Sequence, residues 1–153
     1  MCINVTKKLT ISILVVLLAA PFALFAAGEQ EASGDDGYRI GFAQDTLNQP
    51  WRNNQAVSVE KALADYGIEP IITDGQGRAE RQISNIEDMI AQGLDLLIVS
   101  PAQEGALTPI VERVHAEGTP VVLIDRGIAG EGYTTFVHAD NYAISEMVAD
   151  YIA

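Results

Sequence analysis

Residues 121–126 read VVLIDR, an apolar run that ends in a carboxylate and a guanidinium. Consecutive β-branched and aliphatic residues are typical of a parallel strand that is buried on both faces. Open α/β sheets bind ligands outside the carboxyl ends of their strands, which is where Asp125 and Arg126 would lie. Asp accepts hydrogen bonds from hydroxyls and Arg donates them, so the pair suits a neutral polyhydroxylated ligand better than a phosphate. The alternative is a structural ion pair that closes a loop.

Strand-like and helix-like segments alternate along the chain after residue 37. The predicted strands are residues 38–44, 68–73, 94–100 and 121–124, and the predicted helices are 50–66, 78–92, 106–117 and 141–153. Residues 134–138 are a candidate fifth strand. This alternation predicts an α/β fold with right-handed crossovers, in which a doubly wound parallel sheet has the strand order 2-1-3-4, with the candidate strand as a fifth.

Polar side chains follow three of these strands. Since the carboxyl ends of parallel strands meet at one edge of a sheet, these side chains are predicted to converge there. The candidate site residues are Asp45, Asn48, Gln49, Trp51 and Arg52 after the first strand, Ser100 after the third, and Asp125 and Arg126 after the fourth.

Several kinds of site are not predicted. The segment AQDTLNQPW (43–51) lacks the glycine-rich loop that a dinucleotide or a Walker-type phosphate site requires. His115 and His138 are separated and have no cysteine partners, so no metal site is expected. No serine lies in a G-x-S-x-G context. A formal net charge of −12 argues against nucleic acid as a partner. We therefore expect a protein that is not an enzyme and has no cofactor.

The first residues have the pattern of an export signal. Lys7 and Lys8 precede an apolar run (11–25), and the small residues Ala26 and Ala27 follow it. A retained spanning helix is the alternative, but the run is shorter than the ~20 residues that a bilayer needs. We expect residues 1–27 to be a signal peptide, residues 28–37 a disordered acidic leader, and residues 38–153 one folded lobe. The protein would then be exported and would not insert into the membrane after cleavage.

Four motifs in their joint spacing resemble the ribose-type sugar-binding proteins, the periplasmic substrate-binding subunits of ABC importers. The motifs are TLNQPW (46–51), DGQGRAERQISNIEDMIAQGLDLLIVSP (74–101), GTPVVLIDR (118–126) and HADN (138–141). The resemblance implies the N-terminal lobe of a type I periplasmic binding protein. It also implies a monosaccharide ligand, a pentose or a hexose, and delivery to the ABC permease subunits in the membrane.

The resemblance places six of the candidate residues at ligand-contacting positions: Gln49, Trp51, Arg52, Ser100, Asp125 and Arg126. Trp51 would stack on the apolar face of the sugar, and Asp125 and Arg126 would bond its hydroxyls. The alternatives are a core aromatic at a helix start for Trp51 and a solvated first-turn residue for Arg52.

The chain departs from the ribose-binding members at two positions. They carry an aromatic pair where this chain has Trp51-Arg52, and Asn where it has Ser100. The Trp-Arg pair, together with DGQ at 74–76, looks closer to the galactofuranose-binding branch. The chain is also short, and we expect it to end after the last helix of the first lobe, before the hinge. It would be a fragment or a truncated product that lacks half of the ligand contacts.

Other functions fit the same fold. A LacI-type regulatory lobe shares it, but this chain has an export signal in place of a DNA-binding helix pair. A sensory module that presents a bound sugar to a membrane receptor would use the same site. A flavodoxin-like enzyme is disfavoured by the missing catalytic residues.

Overall fold

The computed structural model describes residues 37–153. The predicted signal peptide and all but the last residue of the predicted leader lie outside them. Strands and helices alternate throughout the described residues. The strands are β1 (Ile40–Gln44), β2 (Ile71–Asp74), β3 (Leu96–Ser100), β4 (Val121–Ile124) and β5 (Thr135–Val137), and the helices are α1 (Pro50–Ala64), α2 (Ala79–Ala91), α3 (Glu104–Ala116) and α4 (Asn141–Ile152).

The five strands form one parallel sheet in the order β2-β1-β3-β4-β5. This confirms the predicted order 2-1-3-4 and the fifth strand. In the register between β1 and β3, Gln44 lies opposite Ser100. The carboxyl ends of the two strands are therefore level, and the loops that leave them start side by side.

The helices begin and end where proline and glycine allow. Pro50 occupies the first turn of α1, where a missing backbone N–H costs no hydrogen bond. Gly67, Gly93 and Gly118 follow α1, α2 and α3 with positive φ angles of 72°, 78° and 99°. That conformation is open to glycine without strain and lets the chain turn back toward the next strand.

Two apolar clusters occupy opposite faces of the sheet, as expected from the alternation of side chains along a strand. The larger cluster joins α2 and α3 to residues such as Leu97, Val99 and Leu123. The smaller one joins Phe42 and Ile98 to α1. Together they confirm the doubly wound fold.

Strand β4 is not buried equally on its two faces, which corrects the prediction. Val121 and Leu123 are fully buried beneath α3, whereas Val122 and Ile124 are only partly covered. Of the helices in residues 37–153, α1 alone contributes to the cluster on that second face, and it packs against β1. Val122 and Ile124 pack only at the margin of this cluster, so the second face of β4 is partly covered.

Helix α4 forms where it is predicted, and Asp140 Oδ1 accepts a hydrogen bond from the backbone nitrogen of Ala143 at its start. Its apolar face is exposed, however, and none of its residues is buried. Met147 is 64% exposed and Tyr151 is 92% exposed. Periodicity along α4 predicts which residues share a face, but no other element of the described chain covers that face.

None of the helices within residues 37–153 is both long enough and apolar enough to cross a bilayer.

Candidate functional site

The loop after β1 lies against the turn between β2 and α2. Gly75 in that turn donates its backbone N–H to the carbonyl oxygen of Gln44 at 2.9 Å. A Cβ at position 75 would lie 2.7 Å from the carbonyl oxygen of Asp45. Glycine is therefore required here by close approach of two backbones. Asp74 adds a second tie, because its Oδ1 accepts from the backbone nitrogen of Leu47 at 3.2 Å. These two hydrogen bonds therefore fix the backbone of the loop that carries Asp45.

Arg52 is the centre of a polar cluster at this edge. It lies in the first turn of α1 and is only 4% exposed, so the alternative of a solvated first-turn residue is wrong. Its Nη2 lies 3.4 Å from Asp45 Oδ2 and 3.7 Å from Asp125 Oδ2. One guanidinium therefore bridges the carboxylates that follow β1 and β4.

The remaining donors of Arg52 bind neutral acceptors. Nη1 donates to Ser100 Oγ at 3.1 Å and to Gln44 Oε1 at 3.4 Å. Nε donates to Gln49 Oε1 at 3.3 Å. Nε and Nη1 therefore make hydrogen bonds, and Nη2 faces the two carboxylates at ion-pair distance. Arg52 thus links residues from three strand ends.

Arg126 closes the cluster from the opposite side. Its Nη1 lies 3.0 Å from Asp45 Oδ2 and also donates to the carbonyl oxygens of Ala102 at 3.2 Å and Pro101 at 3.4 Å. The side chain is 44% exposed. The described residues contain no ion pair between Asp125 and Arg126, which was the structural alternative predicted from the sequence. Asp125 pairs with Arg52, and Arg126 pairs with Asp45.

Two carboxylates and two guanidinium groups therefore alternate along the cluster. Asp45 is buried, and its Oδ1 has no hydrogen-bond partner among the described residues. The Asp125 side chain is 32% exposed and reaches the surface. Its φ angle is 66°, and its backbone nitrogen donates to the carbonyl oxygen of Val137 at 2.9 Å. The left-handed conformation is uncommon outside glycine, although Asp and Asn adopt it more readily than most residues.

Trp51 stands next to the cluster and is 66% exposed, so the alternative of a core aromatic is wrong. An open cavity of about 380 Å³ lies between it, Asp125 and the end of β5. That volume is within the roughly 300–1,000 Å³ range of small-molecule sites. The cavity is lined by Trp51, Asn54, Gln55, Ser58, Val59, Ile124, Asp125, Val137, His138 and Ala139.

The structure brings together most of the candidate residues. Asp45, Arg52, Ser100, Asp125, Arg126 and Gln49 form the polar cluster, and Trp51 and Asp125 line the cavity. Asn48 is exposed and lies outside the cavity lining; its backbone nitrogen donates to Thr46 Oγ1 at 3.3 Å. No group of three or more metal-ligating side chains occurs within residues 37–153.

Two buried glutamines were missed by the sequence analysis. Gln44 is fully buried at the end of β1, where its Oε1 accepts from Arg52 and from the backbone nitrogen of Asp45. Gln82 is fully buried in α2. Its position could have been found, because it shares the helical spacing of the buried residues Ala79, Ile86 and Met89 and is the polar member of that apolar face.

A parallel doubly wound sheet with polar side chains at its carboxyl edge, beside an exposed tryptophan and an open cavity, defines a small-molecule-binding lobe. Residues 40–153 match the family described as periplasmic binding protein domain, and the chain belongs to that family. This confirms the resemblance, and the family is one of binding proteins.

Individual relatives support the same assignment. The chain is 37% identical over 116 residues to the ribose import binding protein of Bacillus subtilis, covering 76% of this chain and 38% of that protein. It is 28% identical over 116 residues to the galactofuranose-binding protein of Escherichia coli, covering 74% and 36%. Among solved structures, it is similar to the fructose-binding periplasmic domain of a hybrid two-component system, with 34% identity and a TM-score of 0.68 over 76% of this chain and 39% of that one. The chain spans less than half the length of these relatives.

Proposed function

We propose that this chain is the first lobe of a periplasmic solute-binding protein that binds a monosaccharide for an ABC importer. The observation that carries the proposal is that Asp125 and Arg126 both reach the surface at the carboxyl edge of the sheet, where Asp125 lines the cavity together with the exposed Trp51. A carboxylate accepts from sugar hydroxyls and a guanidinium donates to them. An aromatic ring covers the apolar face of a sugar. Ribose-, galactofuranose- and fructose-binding relatives support this class of ligand.

Trp51 provides a direct test, because it is the sole tryptophan of the chain. We expect at least one sugar from a panel of D-ribose, D-xylose, D-galactose, D-glucose and D-fructose to change its fluorescence at millimolar concentration. Fully burying a large apolar side chain contributes about 1.5–3 kcal/mol, and Trp51 is already partly covered. Trp51→Ala should therefore weaken binding, followed by NMR titration, by about 1–2 kcal/mol, a factor of about 5 to 30.

A neutral non-sugar solute such as glycine betaine serves as the control and should leave the fluorescence unchanged. Absence of any response to every sugar, by fluorescence and by the NMR signal of the Trp51 indole, would rule out a sugar site on this chain.

The proposed location is the periplasm, reached through cleavage of the signal peptide, and the proposed membrane partners are the ABC permease subunits. Mass spectrometry of the exported protein should find a new N-terminus between Ala26 and Glu29. An intact Met1 in the membrane fraction would contradict cleavage.

A second candidate function is a sensory module. It is favoured by the similarity to the fructose-binding periplasmic domain of a hybrid two-component system. The sugar site would be the same, so affinity alone does not distinguish the two. Co-purification with permease subunits would favour transport, whereas co-purification with a membrane sensor kinase would favour signalling.

A further inference from the structure

Gln82 lies outside the candidate site but is bonded to its backbone. It is 0% exposed, and its side chain points from α2 to the carboxyl ends of the strands. Nε2 donates to the carbonyl oxygens of Ala43 at 3.0 Å and Ser100 at 2.9 Å. Oε1 accepts from the backbone nitrogen of Ala102 at 2.8 Å. Both amide hydrogens and the amide oxygen are therefore in use.

These three bonds fix the groups that hold Arg126. The Ala102 and Pro101 carbonyl oxygens accept from Arg126 Nη1, and both belong to the turn that Gln82 clamps. The same clamp joins Ala43, the penultimate residue of β1, to Ser100, the last residue of β3. A change in the turn would therefore move Arg126 as well as Ser100, which bonds Arg52.

We propose that Gln82 is a positioning residue for the sugar site, which it serves by holding the turn of residues 100–102 so that Arg126 is presented to the ligand. The inference rests on the proposed function and deepens it. Gln82 itself is fully buried, so it acts through the backbone and Arg126. No apolar side chain of similar length could replace it, because two buried carbonyl oxygens and one N–H would lose their partner.

The test is a double-mutant cycle with Gln82→Met and Arg126→Met, followed by NMR titration with the best sugar of the panel. Contacting or networked residues couple, and coupled pairs typically deviate from additivity by factors of about 2 to 150. We expect Gln82→Met to weaken binding about tenfold. Arg126→Met should then cost much less in the Gln82→Met background than in the unsubstituted chain.

A matched control is Ile86→Ala, one helical turn along α2 and equally buried. It should lower the melting temperature but leave sugar affinity within about twofold, since Ile86 packs in the apolar cluster. Gln82→Glu gives a second readout. The introduced carboxyl is buried and faces two carbonyl oxygens, which raises its pKa above the ordinary value for Glu. The affinity of this variant for the sugar should therefore recover as pH falls from about 8 to about 5, when protonation restores one donor.

Failure of this inference is distinguishable from failure of the proposed function. If the unsubstituted chain binds no sugar, the proposed function fails. The effect of Gln82 on the turn is then measured by the unfolding free energies of the same four proteins and by the hydrogen-exchange rate of the Ala102 amide. Non-additive effects of Gln82→Met and Arg126→Met on the unfolding free energy, together with faster exchange of the Ala102 amide in Gln82→Met, would support the positioning role. Additive effects, or an affinity loss no larger than that of Ile86→Ala, would overturn it.

Discussion

Arg52→Met should lower the free energy of unfolding by about 3–5 kcal/mol, the usual cost of removing one partner from a buried ion pair. Arg52 and Asp45 are 4% and 8% exposed, and Asp45 Oδ1 already lacks a partner among the described residues. Without Arg52, the half-exposed Arg126 is the cation that residues 37–153 still place within ion-pair distance of this carboxylate. Chemical denaturation of the purified chain, followed by circular dichroism, measures the change.

Two further variants test whether the loss of stability comes from the buried contacts of Arg52 or from the removal of a positive charge in general. Arg113→Met removes a guanidinium whose ion pairs with Glu87 and Glu117 are about half-exposed, and exposed pairs contribute about 0–1 kcal/mol. Arg52→Lys keeps the charge but lacks the fork that reaches five acceptors, so its loss should fall between the other two. A loss of under 1 kcal/mol for Arg52→Met would show that the cluster does not stabilise the fold.

The order and direction of the strands could be predicted from the sequence because the evidence for them is local. Apolar runs such as LLIVS (96–100), punctuated by glycine and proline, indicate parallel strands, and alternation with helices leaves few topologies. The structure confirms this sheet order. Burial was less predictable, because it depends on what lies above each face. The second face of β4 and the apolar face of α4 show this limit.

The location of the site could be predicted from the sequence, but its ion pairs and hydrogen bonds could not. Position at a strand end indicated that Asp45, Ser100 and Asp125 would share an edge, and the structure places them there. The exchange of partners, in which Asp125 pairs with Arg52 and Arg126 with Asp45, depends on three-dimensional reach. The helical spacing of Gln82 indicates that it is buried, but its role depends on backbone acceptors that the sequence does not show.

Asp125→Asn should weaken sugar binding by about 1.5–3 kcal/mol, the range for a hydrogen bond to a charged group, which is about a tenfold to hundredfold change in Kd. The carboxylate is the part of the cluster that accepts and also reaches the surface, with 32% of the side chain exposed beside the cavity. Asparagine keeps the size and tolerates the positive φ of 66° at this position, so the backbone should be preserved. Titration calorimetry or NMR with the sugar panel measures the affinity.

Asp88→Asn is the matched control, because it removes one negative charge from the exposed surface of α2, away from the edge. It should leave affinity unchanged, which separates contact from net charge. A melting curve is recorded for both variants, since Asp125 also pairs with Arg52 at 3.7 Å. That pair is long and partly exposed, so the melting temperature of Asp125→Asn should change little. Unchanged affinity with a clearly lowered melting temperature would mean that Asp125 is a structural partner of Arg52, and that sugar recognition must rest on Trp51 and Arg126.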